Sequence, residues 1–196
     1  DAERAADINA LATAAVLHDI GLMPSEIARR LSELTPPPGR MERLGGVGEP
    51  LVMIDYAHTP DALENALQAL RPVAEVRGGR LQVLFGCGGD RDKGKRPQMG
   101  EVAVRLADRV LVTSDNPRSE LPQAIIDDIL AGAAGAEVEI DRAAAIRQLL
   151  ARADAADVLL LAGKGHEPYQ EIGGVRHPFS DLEQASAALL ARHAEA

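Results

Sequence analysis

The hydrophobic and polar positions of this chain divide most of it into short apolar runs and longer amphipathic stretches. Apolar runs such as Val158-Leu159-Leu160-Leu161 are typical of strands buried on both faces of a sheet. The stretches between them carry apolar residues at helical spacing. Strands are predicted at 51–55, 81–85, 109–113, 136–140 and 157–162, and helices near 60–76, 97–107, 121–132 and 142–153. This alternation predicts an α/β fold with a Rossmann-like, doubly wound and mostly parallel sheet.

The last part of the chain adds two elements to this pattern. Residues 170–177, which surround the turn Gly173-Gly174, predict one antiparallel strand at the edge of the sheet. Residues 181–192 have helical spacing and predict a closing helix.

The first part of the chain has a different organisation. Helical spacing over 5–20 ends at Gly21, and Pro24 opens a second helix that runs to about Leu34. The prolines that follow cannot continue a helix, because proline lacks the amide donor. The run of prolines therefore predicts a domain boundary, with a short helical pair and linker in 1–38 and the main domain in 39–196.

Composition and charge exclude several classes of protein. A hydrophobic content of 46% with 26% charged residues is typical of a globular domain. The net charge of −9 argues against a nucleic-acid partner, since nonspecific binding to phosphates needs a dominant basic face. No apolar run approaches the roughly 20 residues that span a bilayer, and Cys87 has no second cysteine to pair with. We therefore expect a cytoplasmic protein with no membrane partner.

One glycine-rich segment, Phe85–Arg96, coincides with the end of an apolar run. Its glycines allow sharp turns, and its four cations within six residues repel one another unless an anion lies among them. Gly89, Gly94 and Lys95 also satisfy the G-x-x-x-x-G-K pattern of phosphate-binding loops, but Arg96 stands where such loops place Ser or Thr for magnesium. A small-anion or carboxylate site is the favoured interpretation. An incomplete phosphate-binding loop and a solvated charge run are the alternatives.

Two further segments beyond apolar runs carry groups that can bind an amino acid. Asp115-Asn116-Pro117-Arg118 combines a carboxylate, an amide and a guanidinium, so that Arg118 can hold a carboxylate and Asp115 an ammonium. An Asx turn alone would also explain Asn-Pro. Gly163-Lys164-Gly165-His166-Glu167 offers close backbone approach and a titratable pair, or else an ordinary turn before a helix.

A fourth segment, Tyr56-Ala57-His58-Thr59-Pro60, follows the first strand of the main domain. His58 could bind a ligand there, although Thr59 and Pro60 also fit an ordinary helix start. Ligands bind at the carboxyl ends of parallel strands, so the common position of these segments predicts one shared site. The remaining histidines show no zinc-like spacing, and no metal site is predicted.

Five ordered motifs resemble the C-terminal domain of the Mur ligases, and they are most similar to the members that add meso-2,6-diaminopimelate. The resemblance extends from about residue 6 to the end of the chain. The motifs are Gly39-Arg40-Met41-Glu42-Arg43, Asp55 to Leu63, Phe85 to Pro97, Asp115 to Arg118 and Gly163 to Glu167.

The resemblance implies an ATP-dependent amide ligase of peptidoglycan synthesis. In such an enzyme the γ-carboxylate of D-Glu in UDP-MurNAc-L-Ala-D-Glu is activated as an acyl phosphate and then attacked by the amine of meso-diaminopimelate. ATP and Mg²⁺ would be held mainly by a central domain whose glycine-rich loop has no counterpart here, and 1–38 would be a helical remnant of that domain. The chain begins at Asp1 without Met. We expect a fragment that contains no catalytic residue and is inactive alone.

The resemblance also assigns roles to individual residues. Those expected to bind meso-diaminopimelate are Arg91, Asp115, Asn116, Arg118, Gly163 and Glu167, and those expected to reach ATP are Arg40, Asp55 and His58. Meso-diaminopimelate carries one more carboxylate than lysine, and Arg118 supplies the matching charge. The alternative function is a stand-alone amino-acid-binding module without catalysis; a purely structural module would need a large apolar surface.

Overall fold

The structure is a computed structural model that describes residues 14–32 and 37–195. It separates into two compact units, 1–37 and 38–196. Among the described residues, no helix is both long enough and apolar enough to cross a membrane.

The first unit contains two short helices in its described part. Helix α1 covers residues 14–19, and helix α2 covers Pro24–Ser32. Gly21 follows α1 with a φ of 96°, the left-handed conformation of a helix C-cap that the sequence predicts. The predicted helix over 5–20 begins outside the described residues, so only its last part can be compared.

A six-stranded sheet forms the centre of the second unit. The strands are β1 (Glu42–Gly45), β2 (Leu51–Asp55), β3 (Leu81–Phe85), β4 (Arg109–Val112), β5 (Glu137–Val138) and β6 (Val158–Ala162). They lie in the order β1-β2-β6-β3-β4-β5, in which β1 is antiparallel to β2 and all other neighbours are parallel. The five-residue strands β2, β3 and β6 are buried along almost their whole length, as their apolar runs predict.

Helices cover both faces of this sheet. They are α3 (Pro60–Arg77), α4 (Lys95–Leu106), α5 (Pro122–Leu130), α6 (Arg142–Ala151) and α7 (Asp181–Glu195). The chain moves across the sheet from β2 to β5 and then returns to β6, so right-handed crossovers place α3, α4 and α5 on one face. Leu67, Met99 and Ile126 belong to the core of that face, whereas Ile146 and Ala185 belong to the core beneath α6 and α7. The predicted doubly wound architecture is confirmed.

The antiparallel edge strand exists, but it is β1 rather than the segment 170–177. That segment forms a separate two-stranded hairpin of β7 (Tyr169–Ile172) and β8 (Val175–Pro178). The sequence did not predict β1 because Glu-Arg-Leu-Gly is half-buried and contains no apolar run. At the opposite edge, the strand predicted at 136–140 has only the two residues of β5.

Strand β6 fixes where a ligand can bind. It lies between β2 and β3, whose following helices are on one face, while the helix after β6 is on the other face. The segments that leave these strands therefore diverge at their carboxyl ends and open a crevice. The four polar segments singled out in the sequence all leave the sheet at this carboxyl edge.

Candidate functional site

The segments after β4 and β6 meet at the carboxyl edge of the sheet. Asn116 Nδ2 donates a 2.8 Å hydrogen bond to Glu167 Oε2, which joins two predicted binding residues that are 51 positions apart in sequence. Asn116 Oδ1 accepts from the backbone amide of Glu171 at 2.9 Å, so β7 also helps to orient this side chain. The amide of Asn116 is thereby fixed by two other segments of the chain.

Lys164 lies at the centre of this arrangement, and the sequence analysis did not select it. Its side chain has no exposed surface. Lys164 Nζ donates to Asn116 Oδ1 at 3.0 Å and lies 3.4 Å from both Asp115 Oδ1 and Glu167 Oε2. Its position between two glycines gives no local signal of burial, because Asp115 and Asn116 lie 49 and 48 positions away in sequence.

Asp115 is almost completely enclosed by its surroundings. Burial raises the pKa of its carboxyl group, while the nearby charges of Arg142 and Lys164 oppose that shift. Gly163 has a φ of 113°, and a Cβ placed there would lie 3.1 Å from Asp115 Oδ2. A side chain at position 163 would therefore both strain the backbone and press on this carboxylate. This contact explains why position 163 requires a glycine.

A second buried ion pair supports the same edge from the α6 and α7 side. Arg142 donates to both carboxylate oxygens of Asp181, at 2.8 and 2.7 Å, and both side chains are completely buried. Arg142 Nη2 also donates to the carbonyl of Ala162 at the end of β6, at 3.0 Å. Although burial opposes the charge, Asp181 raises the pKa of Arg142. The sequence analysis missed this pair because its two residues each resembled an ordinary helix start.

The two predicted carboxylate-binding arginines both approach Gly88. A Cβ placed at Gly88 would lie 2.8 Å from Arg118 Nη1 and 3.8 Å from Arg91 Cγ. Arg118 adopts a φ of 51° and donates from Nη1 to the carbonyl of Gly89 at 2.7 Å, while Arg91 Nη1 donates to Asp90 O at 3.1 Å. Both guanidinium groups therefore retain other N–H donors for a ligand.

The hairpin holds the backbone of Arg118 in this position. Its amide donates to Glu171 O at 3.0 Å, and its carbonyl accepts from the amide of Gly173 at 2.7 Å. These two hydrogen bonds make up the parallel β-bridge between Arg118 and Ile172. Because a non-glycine residue at positive φ is strained, such bonds are needed to maintain the conformation.

The other cations of the glycine-rich segment have protein partners. Arg96 is completely buried and donates to both oxygens of Glu120, at 2.8 and 3.0 Å, and to Asp128 at 2.9 Å. Lys93 lies 3.2 Å from Glu120, and the hydrogen bonds from Arg96 lower the pKa of Glu120 to about 2. Arg96, which replaces the magnesium-binding hydroxyl of a phosphate-binding loop, thus serves an internal ion network. It is not part of a solvated charge run.

The residues predicted to reach ATP cluster at the end of β2. Asp55 accepts one backbone N–H on each carboxylate oxygen, from Ala57 at 2.8 Å and from Met41 at 2.9 Å. The guanidinium of Arg40 lies over the ring of Tyr56, 5.5 Å from its centroid. The ring of His58 lies 4.6 Å from that of Tyr56, and its Nδ1 is 2.8 Å from the carbonyl of Tyr56.

The segment after β6 lies between the two clusters. His166 lies 5.9 Å from the ring of Tyr56, whereas Glu167 contacts Asn116 on the other side. A Cβ at Gly39 would lie only 2.0 Å from His166 N, so the two backbone segments approach closely here. The structure thus places the amino-acid candidates and the nucleotide candidates on adjacent parts of one edge. Among the described residues, no group of three or more His, Cys, Asp or Glu side chains is arranged to hold a metal ion.

Comparison with known proteins agrees with the fold and with the order of the motifs. The family model "Mur ligase, glutamate ligase domain" matches residues 39–165, which is more than half of the chain. The chain is 58% identical over 187 residues to the UDP-N-acetylmuramoyl-L-alanyl-D-glutamate–2,6-diaminopimelate ligase of Acidovorax sp., and 58% identical over 186 residues to that of Pseudomonas aeruginosa. These alignments cover 94% and 93% of the chain but only 37% and 38% of the relatives.

A solved structure of a ligase with the same name superposes with a TM-score of 0.72 at 40% identity, over 93% of this chain and 38% of that one. The chain therefore spans little more than a third of the length of the relatives it matches. The match of the family model, together with the shared fold, shows that the chain belongs to the Mur ligase family.

Proposed function

We propose that this chain is the amino-acid-binding, C-terminal part of an ATP-dependent ligase. The full enzyme would join meso-diaminopimelate to the γ-carboxylate of D-Glu in UDP-MurNAc-L-Ala-D-Glu during peptidoglycan synthesis in the bacterial cytoplasm. The observation that carries the proposal is the 2.8 Å hydrogen bond between Glu167 and Asn116. This bond joins an amide and a carboxylate at the carboxyl edge of the sheet. Asn116 lies two positions before Arg118, whose guanidinium belongs to the same turn. The names of the curated relatives supply the reaction class.

The charges at this edge complement a molecule with two ammonium and two carboxylate groups. Arg91 and Arg118 both approach Gly88 and can each pair with a carboxylate. Glu167 and Asp115 supply negative charge for an ammonium group. Lysine has a single carboxylate and would leave one guanidinium unpaired. This difference favours meso-diaminopimelate as the substrate.

The cluster at the end of β2 fits the nucleotide. Each carboxylate oxygen of Asp55 keeps a lone pair that can accept a hydrogen bond from a ribose hydroxyl. The exposed guanidinium of Arg40 can approach phosphates. His58, on the Tyr56 ring, lies beside them. ATP, when bound, supplies the phosphoryl group that activates the D-Glu carboxylate. Its γ-phosphate and Mg²⁺ would be held mainly by the preceding domain, to which residues 1–38 would contribute the helical pair and linker.

Calorimetric titration of this chain tests the proposed substrate. Meso-diaminopimelate should bind, L-lysine should bind more weakly, and Arg118→Ala should lower the affinity for meso-diaminopimelate at least tenfold. The reason is that truncating one partner of a desolvated charge pair costs about 2–5 kcal/mol. Arg147→Ala is the matched control, because Arg147 is exposed in the middle of α6 and belongs to none of the proposed binding segments. Equal affinities of wild type and Arg118→Ala would show that this segment does not bind the amino acid.

A second measurement tests the assignment of catalysis to the full enzyme. The purified chain should neither hydrolyse ATP appreciably nor ligate the amino acid, because the glycine-rich segment commits Arg96 to Glu120 and Asp128. Steady ATP turnover that Lys95→Ala abolishes would contradict this expectation and would support the phosphate-binding-loop interpretation instead. In the full-length ligase, Arg118→Ala should raise the KM for meso-diaminopimelate and leave the KM for ATP unchanged.

A further inference from the structure

Lys164 makes its polar contacts with the residues that are proposed to bind the amino acid. Its ammonium group lies 3.0 Å from Asn116 Oδ1, 3.4 Å from Asp115 Oδ1 and 3.4 Å from Glu167 Oε2. An ammonium group has three N–H donors, and three acceptors surround it here. Lys164 thus connects the segments after β4 and β6 through one atom.

The surroundings of Lys164 prevent it from reaching a ligand itself. Its side chain is completely buried, and its Nζ lies 5.8 Å from the ring centroid of Tyr169 and 5.9 Å from that of Phe179. Any effect on binding must therefore act through Asp115, Asn116 and Glu167.

The local charge balance gives that effect a physical meaning. Asp115 interacts electrostatically with Lys164, Arg142, Glu167 and Asp181, so the two ion-paired sets form one cluster of three carboxyl groups and two cations. The fully ionised cluster carries a net charge of 2 − 3 = −1. One arriving ammonium group would neutralise it. Without Lys164 the excess would be −2 in a buried site, and a carboxyl group would have to take up a proton or turn toward solvent.

We propose that Lys164 is a positioning residue, an internal ammonium that fixes Asp115, Asn116 and Glu167 in their binding orientation before the amino acid arrives. The proposal rests on the proposed function for the identity of the ligand. Its structural part, the fixed orientation of Asn116 and Glu167, does not depend on any ligand.

The test uses Lys164→Met in this chain, with Lys93→Met as the matched control. Methionine keeps the length of the side chain and removes the charge, whereas Lys93 is 67% exposed and contacts only Glu120 among the described carboxylates. The first measurement is hydrogen exchange of the Asn116 side-chain amide by NMR. Lys164→Met should accelerate it at least tenfold, while backbone amides in β3 and β6 keep their wild-type protection. Unchanged exchange at Asn116 would overturn the proposal whether or not the chain binds an amino acid.

The second measurement is the affinity for meso-diaminopimelate by calorimetry. If the wild type binds, Lys164→Met should bind at least tenfold more weakly and Lys93→Met should match the wild type. Wild-type affinity in Lys164→Met would overturn the positioning role and leave the proposed function intact. If the wild type itself does not bind, the proposed function fails for this chain, and the exchange of the Asn116 amide alone decides the inference.

A pair of variants keeps the test decisive if Lys164→Met does not fold. Asp115→Asn is compared with Asp115→Asn/Lys164→Met, which lacks both members of the buried pair and so avoids an unpaired charge between them. The double variant should lose the slow exchange of the Asn116 amide that Asp115→Asn retains. Equal exchange in the two variants would show that Lys164 serves stability alone.

Discussion

The central sheet has buried charged groups both at its carboxyl edge, where the parallel strands end, and at its amino edge, where they begin. The partners of these groups differ between the two edges. At the amino edge, Arg77 donates to the backbone carbonyls of Gly46, Glu49, Ala155 and Ala156, at 2.7–3.1 Å. Nearby, Asp157 accepts from the backbone amides of Arg80 and Asp154. At the carboxyl edge, the charged side chains bind mainly one another. Charges that satisfy the backbone close the fold, whereas charges that satisfy one another can hold side chains in position for a ligand.

The largest expected effect comes from breaking the buried Arg142–Asp181 ion pair at the carboxyl edge. Arg142→Met should lower the free energy of unfolding by about 3–5 kcal/mol, because it leaves the carboxylate of Asp181 buried without its counter-charge. Urea denaturation at pH 7 measures this loss. Arg147→Met, an exposed change on the same helix, should stay within about 0.5 kcal/mol of the wild type. A loss below 1 kcal/mol in Arg142→Met would show that the pair does not stabilise this edge.

A smaller loss is expected at the amino edge. Arg77→Met should lower the free energy of unfolding by about 2 kcal/mol, because the variant loses the hydrogen bonds of a charged donor. The loss is smaller than for Arg142→Met because the side chain of Arg77 is partly exposed to solvent. The affinity for meso-diaminopimelate should not change. If Arg77→Met weakened that affinity as strongly as Arg118→Ala does, the functional distinction between the two edges would be wrong.

The ion network of the glycine-rich segment should make the stability of the fold depend on pH. The pKa of Glu120 in the folded chain is lowered from its ordinary value of 4.5 to about 2, chiefly by hydrogen bonds from Arg96. A depressed folded-state pKa stabilises the fold above the unfolded value and loses that contribution as pH falls through the folded value. The stability difference between wild type and Glu120→Gln should therefore be largest at neutral pH and shrink between pH 4.5 and about 2. A difference independent of pH would contradict the ion network.

The smallest effect concerns a residue of the carboxyl edge that points into the core. Burial raises the pKa of Cys87 to about 12, and its thiol lies 3.6 Å from Met99 Sδ. The thiol of the native chain should react very slowly with a disulfide reagent at pH 8, whereas the thiol of the denatured chain should react rapidly and completely. Rapid reaction of the native chain would show that the start of the glycine-rich segment opens to solvent.

Much of the fold could be predicted because buried parallel strands have an unmistakable pattern. The strands at 51–55 and 81–85 have the predicted bounds, and Thr59 caps α3 with its side chain, as its position before Pro60 indicates. β1 escaped prediction, since an edge strand half-exposed to solvent lacks an apolar run. The segment 170–177 was predicted as an edge strand of the main sheet, whereas it forms a separate hairpin. Which sheet a short strand joins depends on contacts that sequence spacing does not encode.

The candidate site could be predicted only as far as its motifs lie in single segments. Asn116 and Arg118 were selected because their residue types combine within one turn. Lys164 was not selected, because its role depends on a partner 48 positions away, and Arg142 because Asp181 lies 39 positions further on. Burial of a charge is a property of the whole fold, and neither residue type nor local spacing reveals it.

The most direct test of the account is an amide-resolved NMR titration of this chain with meso-diaminopimelate. The account predicts chemical-shift changes that saturate at Gly88, Gly163, Glu167 and the side-chain amide of Asn116. Resonances of the amino edge, including those of Arg77 and Ala155, should stay in place. Saturable changes confined to the amino edge, or no change with ligand in large excess, would contradict the central claim that the carboxyl edge binds the amino acid.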